Sequence, residues 1–255
     1  MYLGLEKKVV LVTGGTKGIG RSIVKAFLHE GSTVHFCSRT ASDVQAANET
    51  YAKEFPDAKA FGAAVDVSRN EELEEWVQGI VKESSRIDVV VANVSAMAIE
   101  DNVENWNAAF QTDMMGTYNL IQAALPHLEK TKGNIVNINS VSGRDVDFTG
   151  AGPYGTLKAA LIRYTAGLAQ QLAPKGIRAN TLSPGNIYIQ DGVWGGAERN
   201  MPEFFHSQWD KNPMGRMGRS EEVADSVVFL ASQRASFISG ANLIVDGALC
   251  KGVQF

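Results

Sequence analysis

The chain has few of the residues that build stapled, metal-bound or membrane-spanning proteins. Only two cysteines occur in 255 residues, Cys37 and Cys250, far apart and in no metal-type spacing. That excludes a disulfide scaffold and fits reduced thiols in a cytoplasmic protein. The four histidines (His29, His35, His127 and His206) form no HExxH or comparable cluster, so no metal site is expected. Basic charge is not in surplus: 24 Lys and Arg against 28 Asp and Glu give a formal net charge of −4. This argues against a nucleic-acid partner, although a small anionic ligand can still find a locally positive site. No apolar run approaches the length of a membrane span. The first, VVLVTG at 9–14, ends in glycines and is too short even for a signal-peptide core. An internal repeat, a low-complexity tract and a Pro/Gly/Ser linker are also missing, so residues 1–255 are expected to form a single domain.

What recurs instead is a short β-rich run followed by a longer helical pattern. The runs lie at 9–14, 32–38, 58–66, 87–93, 133–140, 177–184 and 241–247. Several are continuously apolar, as strands covered on both faces are. Between the first two, Ile19, Ile23, Val24 and Phe27 line one face of a helix over 18–29, and Gly31 stops it. Ser68 and Glu71 have the spacing of a capping box, and Pro174 follows the helix that contains Tyr154. Such alternation implies an α/β fold: a doubly wound parallel sheet of about seven strands with helices on both faces. Ligands in these sheets bind beyond the carboxyl ends of the strands, which directs attention to the residues ending each run.

The first run ends in TGGTKGIG (13–20) directly before a helix. Gly14 permits a tight turn, Gly18 lets the backbone approach a diphosphate, and Gly20 lets the helix pack closely; the helix N-terminus adds N–H donors. The spacing is G-x-x-x-G-x-G, and no G-K-[ST] follows, so a Walker-type phosphate loop is excluded. The second run ends in Ser38, Arg39 and Thr40, where an acid would suit the ribose of NAD. Together with Lys17 these residues suit a 2′-phosphate, which favours NADP over NAD; solvated surface charge is the alternative for Arg39 and Lys17. Further on, Tyr154 and Lys158 are spaced i, i+4, one turn apart on a helix face that Pro153 opens.

In order and spacing these features resemble the classical short-chain dehydrogenase/reductase family, with its Rossmann-type sheet, over almost the whole chain. The resemblance rests on TGGTKGIG, Asp66-Val67, Ser140, Tyr154 with Lys158, Pro184-Gly185 and the closing VDG at 245–247. It implies a catalytic set of Ser140, Tyr154 and Lys158, with Tyr154 exchanging a proton with the reacting oxygen. Lys158 stabilises the phenolate, and Ser140 orients and polarises the same oxygen. It implies cofactor contacts from Gly14, Thr16, Lys17, Gly18, Ile19 and Gly20, from Asp66 and Val67 at the adenine, and from Asn93 and Ser95. Tyr154 and Lys158 would also touch the cofactor, and the segment Pro184, Gly185 to Ile187 would hold the nicotinamide amide. The expected activity is interconversion of a ketone and a secondary alcohol, chiefly NADPH-dependent reduction of a small molecule. A homotetramer or homodimer packed through the C-terminal strand is implied too. The rival expectation is a non-catalytic dinucleotide-binding sensor or structural subunit.

Four departures from the family pattern matter. Val94 and Ser95 stand where a small residue and a glycine usually follow the asparagine matched by Asn93. Ile189 replaces a threonine after Pro-Gly, and Ala248 replaces a second glycine after VDG, a change expected to be minor. Asp113 takes the place of the asparagine of the family's proton relay. Its backbone carbonyl still serves a relay, while a carboxylate there would hold Lys158 protonated and repel the Tyr154 phenolate. The expected result is a higher pH optimum for oxidation, or an Asp113 that is itself partly protonated. A substrate lid is expected near 186–213, with Tyr188, Trp194, Phe204, Phe205 and Trp209 in or beside it. These aromatics suit either an apolar or ring-containing substrate or packing of the lid on its own domain.

Overall fold

The computed structural model describes residues 2–252. Met1 and residues 253–255, part of the expected domain, lie outside the described residues. Each expected run contains a strand: β1 (Val9–Thr13), β2 (Thr33–Ser38), β3 (Lys59–Ala64), β4 (Val89–Ala92), β5 (Asn134–Ile138), β6 (Arg178–Pro184) and β7 (Asn242–Val245). All neighbours pair in parallel, in the order β3-β2-β1-β4-β5-β6-β7. The chain winds outward from β1 to β3, returns to β4 beside β1, and winds the other way. This reversal opens a crevice at the carboxyl ends of β1 and β4.

The apolar pattern explains the layering. β1, β4 and β5 are buried at every position, whereas the edge strand β7 is half-buried throughout. Val10 and Val12 face one way, beneath α1 (Gly18–His29), α2 (Ala41–Glu54) and α9 (Ser220–Ala231). Leu11, Val90 and Ile135 face the other way, beneath α3 (Asn70–Ser84), α5 (Gly116–Thr131) and α6 (Pro153–Leu172). Each large side chain buried in these two layers contributes roughly 1.5–3 kcal/mol. The short helix α4 (Val103–Ala109) runs through a π-helical turn, Phe110–Met115, into α5. Two more short helices, α7 (Val193–Asn200) and α8 (Pro202–Trp209), follow β6.

Local signals read from the sequence succeed in part. Helix α1 has the expected bounds, and Gly31 follows it at φ 73°, a left-handed conformation that suits glycine. The capping box at Ser68 and Glu71 does not form. Asp66 captures Ser68 instead, accepting its hydroxyl at 2.7 Å and its N–H at 3.0 Å, while Glu72 accepts the Asp66 N–H. Helix α3 consequently starts later, at Asn70. Cys37 and Cys250 are free, and burial, aided at Cys250 by nearby acids, pushes each thiol up to about 12. Among the described residues no helix is long and apolar enough to cross a membrane, and no His/Cys/Asp/Glu group could hold a metal ion.

Candidate active site

The glycine turn after β1 is fixed from two sides. Gly14 and Gly18 adopt φ of 71° and 59°. A Cβ on Gly20 would lie 2.0 Å from the Gly14 carbonyl oxygen, so only glycine allows α1 to start there. Asn93, just beyond β4, donates through its amide to the Thr13 and Gly14 carbonyls at 3.0 and 3.3 Å. From the opposite side the buried Tyr51 hydroxyl donates to the Gly15 carbonyl at 2.5 Å, and burial raises its ionisation well above the usual phenol range. Tyr51 lies 36 residues away in sequence, on α2, and no sequence signal links it to the turn. No side chain caps the α1 N-terminus. Ile189 packs beside it, 3.4 Å from where a Gly18 Cβ would sit.

The next strand ends line up along the same edge of the sheet. Lys17, Arg39 and Thr40 are exposed and Ser38 is half-buried, while Thr16 is buried. Burial opposes ionisation of Asp66, yet its bonds from Ser68 and the nearby Arg39 and Arg69 hold its carboxyl below the usual range. Its neighbour Val67 is buried against Gly116 of α5, whose Cβ would come within 3.0 Å of the Val67 carbonyl oxygen. Pro184 ends β6. Gly185 donates to the Val245 carbonyl, and Ile187 bridges to Gly218, so the 184–187 segment is held between β7 and the approach to α9.

Asp113 meets Lys158, as a carboxylate in the place of the relay asparagine was expected to do. The π-helical turn aims its carboxylate inward. Oδ1 meets Lys158 Nζ at 3.1 Å and accepts the Ser95 hydroxyl at 2.6 Å, and Oδ2 accepts the Ala96 N–H at 2.8 Å. Asp113 and Lys158 side chains are each 3% exposed, so this is a buried ion pair. Two of the departures from the family pattern, Ser95 and Asp113, are therefore in contact. Lys158 Nζ lies 5.7 Å from the centre of the Tyr154 ring on α6. Ser140, beyond β5, is brought to the same helix: the adjoining Asn139 donates to the Lys158 carbonyl at 2.9 Å and accepts the Ser140 N–H at 2.9 Å.

The aromatics after β6 pack largely on one another. Trp194 stacks on Phe204 at 6.0 Å, Phe205 contacts Tyr188 and Trp209, and Phe148 closes the group edge-on to Trp194 and Phe204. Of the two readings of these residues, packing within their own domain accounts for Trp194 and Phe205, both buried.

Known proteins resemble this arrangement along its whole length. A family profile described as enoyl-(acyl carrier protein) reductase matches residues 14–249. Isoepoxydon dehydrogenase patN of Penicillium expansum is 39% identical over 255 residues, covering 99% of this chain and 98% of that protein. L-fucose dehydrogenase of Bos taurus is 34% identical over 248 residues, covering 94% and 88%. The crystal structure of L-sorbose reductase from Gluconobacter frateurii, complexed with NADPH and L-sorbose, has a TM-score of 0.89 at 25% identity. It covers 99% of this chain and 100% of that one. Relatives named as dehydrogenases and reductases thus match a chain whose strand ends carry the features of a redox site. The chain belongs to the short-chain dehydrogenase/reductase family, NAD(P)-dependent oxidoreductases that interconvert alcohols and carbonyls.

Proposed function

We propose that this chain reduces a ketone to a secondary alcohol with NADPH, Tyr154 being the acid that protonates the reacting oxygen. The observation that carries the proposal is the geometry of α6: Pro153 opens the helix and Lys158 Nζ lies 5.7 Å from the Tyr154 ring centre. An ammonium at that range stabilises the phenolate left when the proton departs. Ser140 holds the oxygenated end of the substrate against Tyr154, and Asp113 fixes Lys158 from behind.

The residues present fit a dinucleotide. A turn with two positive-φ glycines, beside an uncapped helix N-terminus, suits a diphosphate held by Gly14, Thr16, Lys17, Gly18, Ile19 and Gly20. Asp66 and Val67 would border the adenine. Asn93 and Ser95 line the approach to the nicotinamide, whose amide would be held by Pro184, Gly185 and Ile187. When bound, the nicotinamide supplies the hydride. The choice of NADP over NAD is supported by Ser38, Arg39, Thr40 and Lys17, which offer two cations and two hydroxyls to a 2′-phosphate. The neighbouring L-sorbose reductase is a complex with NADPH. A lid at 186–213, assembly as a homotetramer or homodimer through the β7 edge, and a cytoplasmic setting belong to the same reading.

Fluorescence titration with NADPH and NADH, followed by turnover of a panel of ketones and alcohols, tests the proposal. Binding of NADPH at least about ten-fold tighter than NADH is expected, since about 1.4 kcal/mol separates them for each ten-fold. Turnover is expected to fall by roughly a hundred-fold or more in Tyr154→Phe, the scale of general acid–base catalysis. Tight binding with no turnover across the panel, unchanged by Tyr154→Phe, would instead favour a non-catalytic dinucleotide sensor.

A further inference from the structure

The peptide that joins Gly15 to Thr16 is oriented by a residue outside the glycine turn. The Gly14 and Gly15 N–H groups both donate to the Cys37 carbonyl of β2, at 2.9 and 3.1 Å. Thr16 carries the next N–H, and no group among the described residues accepts it. Its direction follows from the Gly15 carbonyl, because the C=O and N–H of a planar trans peptide point opposite ways. That carbonyl accepts the Tyr51 hydroxyl at 2.5 Å, from the α2 side. The Thr16 N–H accordingly points away from α2, toward the side from which Asn93 approaches the turn. Arg21 Nε ties the following carbonyl, that of Thr16, at 3.1 Å, so the Tyr51 hydroxyl governs the 15–16 peptide alone.

Tyr51 is itself fixed. Its ring, 1% exposed, meets Phe36 of β2 edge-on at 5.2 Å. Phe36 also backs the turn, since a Cβ on Gly15 would lie 2.6 Å from the Phe36 Cβ. One turn earlier on α2, Asn48 Oδ1 accepts the Gly62 N–H of β3 at 2.9 Å and anchors the helix to the sheet edge. The Tyr51 hydroxyl stays a donor because burial opposes its ionisation. Without that hydroxyl the Gly15 carbonyl would face an apolar layer unmatched. Turning it outward to water would swing the Thr16 N–H out of the crevice.

We infer that Tyr51 is a positioning residue for the cofactor diphosphate: from α2 it fixes the 15–16 peptide so that the Thr16 N–H meets the diphosphate. Helix α2 then serves the dinucleotide twice. Its N-terminus follows directly on Ser38, Arg39 and Thr40, the residues proposed for the 2′-phosphate, and its middle sets the turn. The contribution of Tyr51 is the same for NADP and NAD, which share the diphosphate, and is nil for a ligand that lacks it. This inference rests on a dinucleotide occupying the glycine turn and adds the residue that sets the geometry of that turn.

The test is calorimetric titration of wild type and Tyr51→Phe with NADPH, NADH, ADP and adenosine 2′-monophosphate. Phenylalanine keeps the ring against Phe36, and thermal melts check the fold. Affinity for NADPH, NADH and ADP is expected to fall about five- to thirty-fold in the variant, with the NADPH-to-NADH ratio unchanged. Adenosine 2′-monophosphate, which has no 5′-diphosphate, should bind both proteins alike. An equal loss for all four ligands would mean a general disturbance of the site, and an unchanged affinity for ADP would mean that the carbonyl tie does not bear on the diphosphate. Either result overturns the inference. Wild type alone supplies a second measurement: coupling is reciprocal, so ADP should slow amide hydrogen exchange over 48–54 of α2. No slowing there overturns the inference whatever the stability of the variant. A wild type that prefers NADH, or that binds dinucleotide without turnover, overturns the proposed NADPH-dependent reduction, whereas the selective loss of ADP affinity in Tyr51→Phe still upholds the role of Tyr51. Absence of dinucleotide binding to wild type overturns both.

Discussion

Ala248 stands at φ 66° in the turn that follows β7, directly after Gly247 at φ 64°. An L-residue in the left-handed region carries a penalty of about 1–2 kcal/mol because its Cβ crowds the following carbonyl. The turn stays because Asp246 holds it, Oδ1 accepting the Ala248 N–H at 2.9 Å and Oδ2 the Cys250 N–H at 2.8 Å. The substitution that looked minor in the sequence is thus a strained position. Ala248→Gly removes the crowding but loosens the unfolded chain, an opposing effect of about 0.4–1 kcal/mol. The net gain is about 0.5–1 kcal/mol, or roughly 1–4 °C in the melting midpoint of a domain this size. Calorimetric melts of the two proteins decide it: an unchanged or lower midpoint for Ala248→Gly rules out strain at this residue.

Among the elements, the π-helical turn at Phe110–Met115 does most to distinguish this site, and it was the least legible. The seven strands could be read from the lengths of their apolar runs and the α1 boundary from Gly31, because burial and backbone freedom leave marks in composition. A π turn inserts one residue into a helix and leaves no such mark. The resemblance placed the Asp113 carboxylate near Lys158, but nothing in the sequence foretold that the Ser95 hydroxyl would share it. That contact depends on side chains brought together from a loop and a helical turn. The Asp113 contact has a measurable consequence. Asp113→Asn keeps one acceptor oxygen but leaves the Lys158 ammonium without its buried countercharge, a loss of about 1–3 kcal/mol in stability. It also removes a negative charge near Tyr154, so the rise of the alcohol-oxidation rate with pH should move to lower pH. Superimposable pH–rate profiles for the two proteins would show that the carboxylate has no electrostatic part in the reaction.

At the scale of the whole molecule, the chemistry and the acid stability sit at opposite ends of the same strands. β1 and β4 open the crevice at their carboxyl ends, while at their amino ends Asp88 ties them together. Its carboxylate accepts Arg86 Nε at 2.8 Å, Arg86 Nη2 at 2.6 Å, the Val9 N–H at 3.0 Å and Lys8 Nζ at 3.2 Å. Burial opposes ionisation of Asp88, but these donors outweigh it and hold the carboxyl below its ordinary 3.8. In the unfolded chain the same carboxyl takes up its proton near 3.8, so on acidification the unfolded state binds the proton first. Asp88 therefore adds stability that is complete above that pH and is lost as the pH falls through its lower folded value. Glu222, held at about 2 by Arg216 and the Arg219 N–H, acts in the same sense. Asp88→Asn should lower stability at pH 7 by about 1–3 kcal/mol, the cost of unmatched buried donors. It should also make the further loss between about pH 5 and pH 2 shallower without abolishing it, because Glu222 still titrates. Urea unfolding across that range measures both effects. Nicotinamide-dinucleotide affinity at pH 7 supplies the control, since the substitution lies at the end of the sheet away from the crevice. An acid limb as steep in Asp88→Asn as in wild type would mean that the tie between β1 and β4 is not what acid undoes.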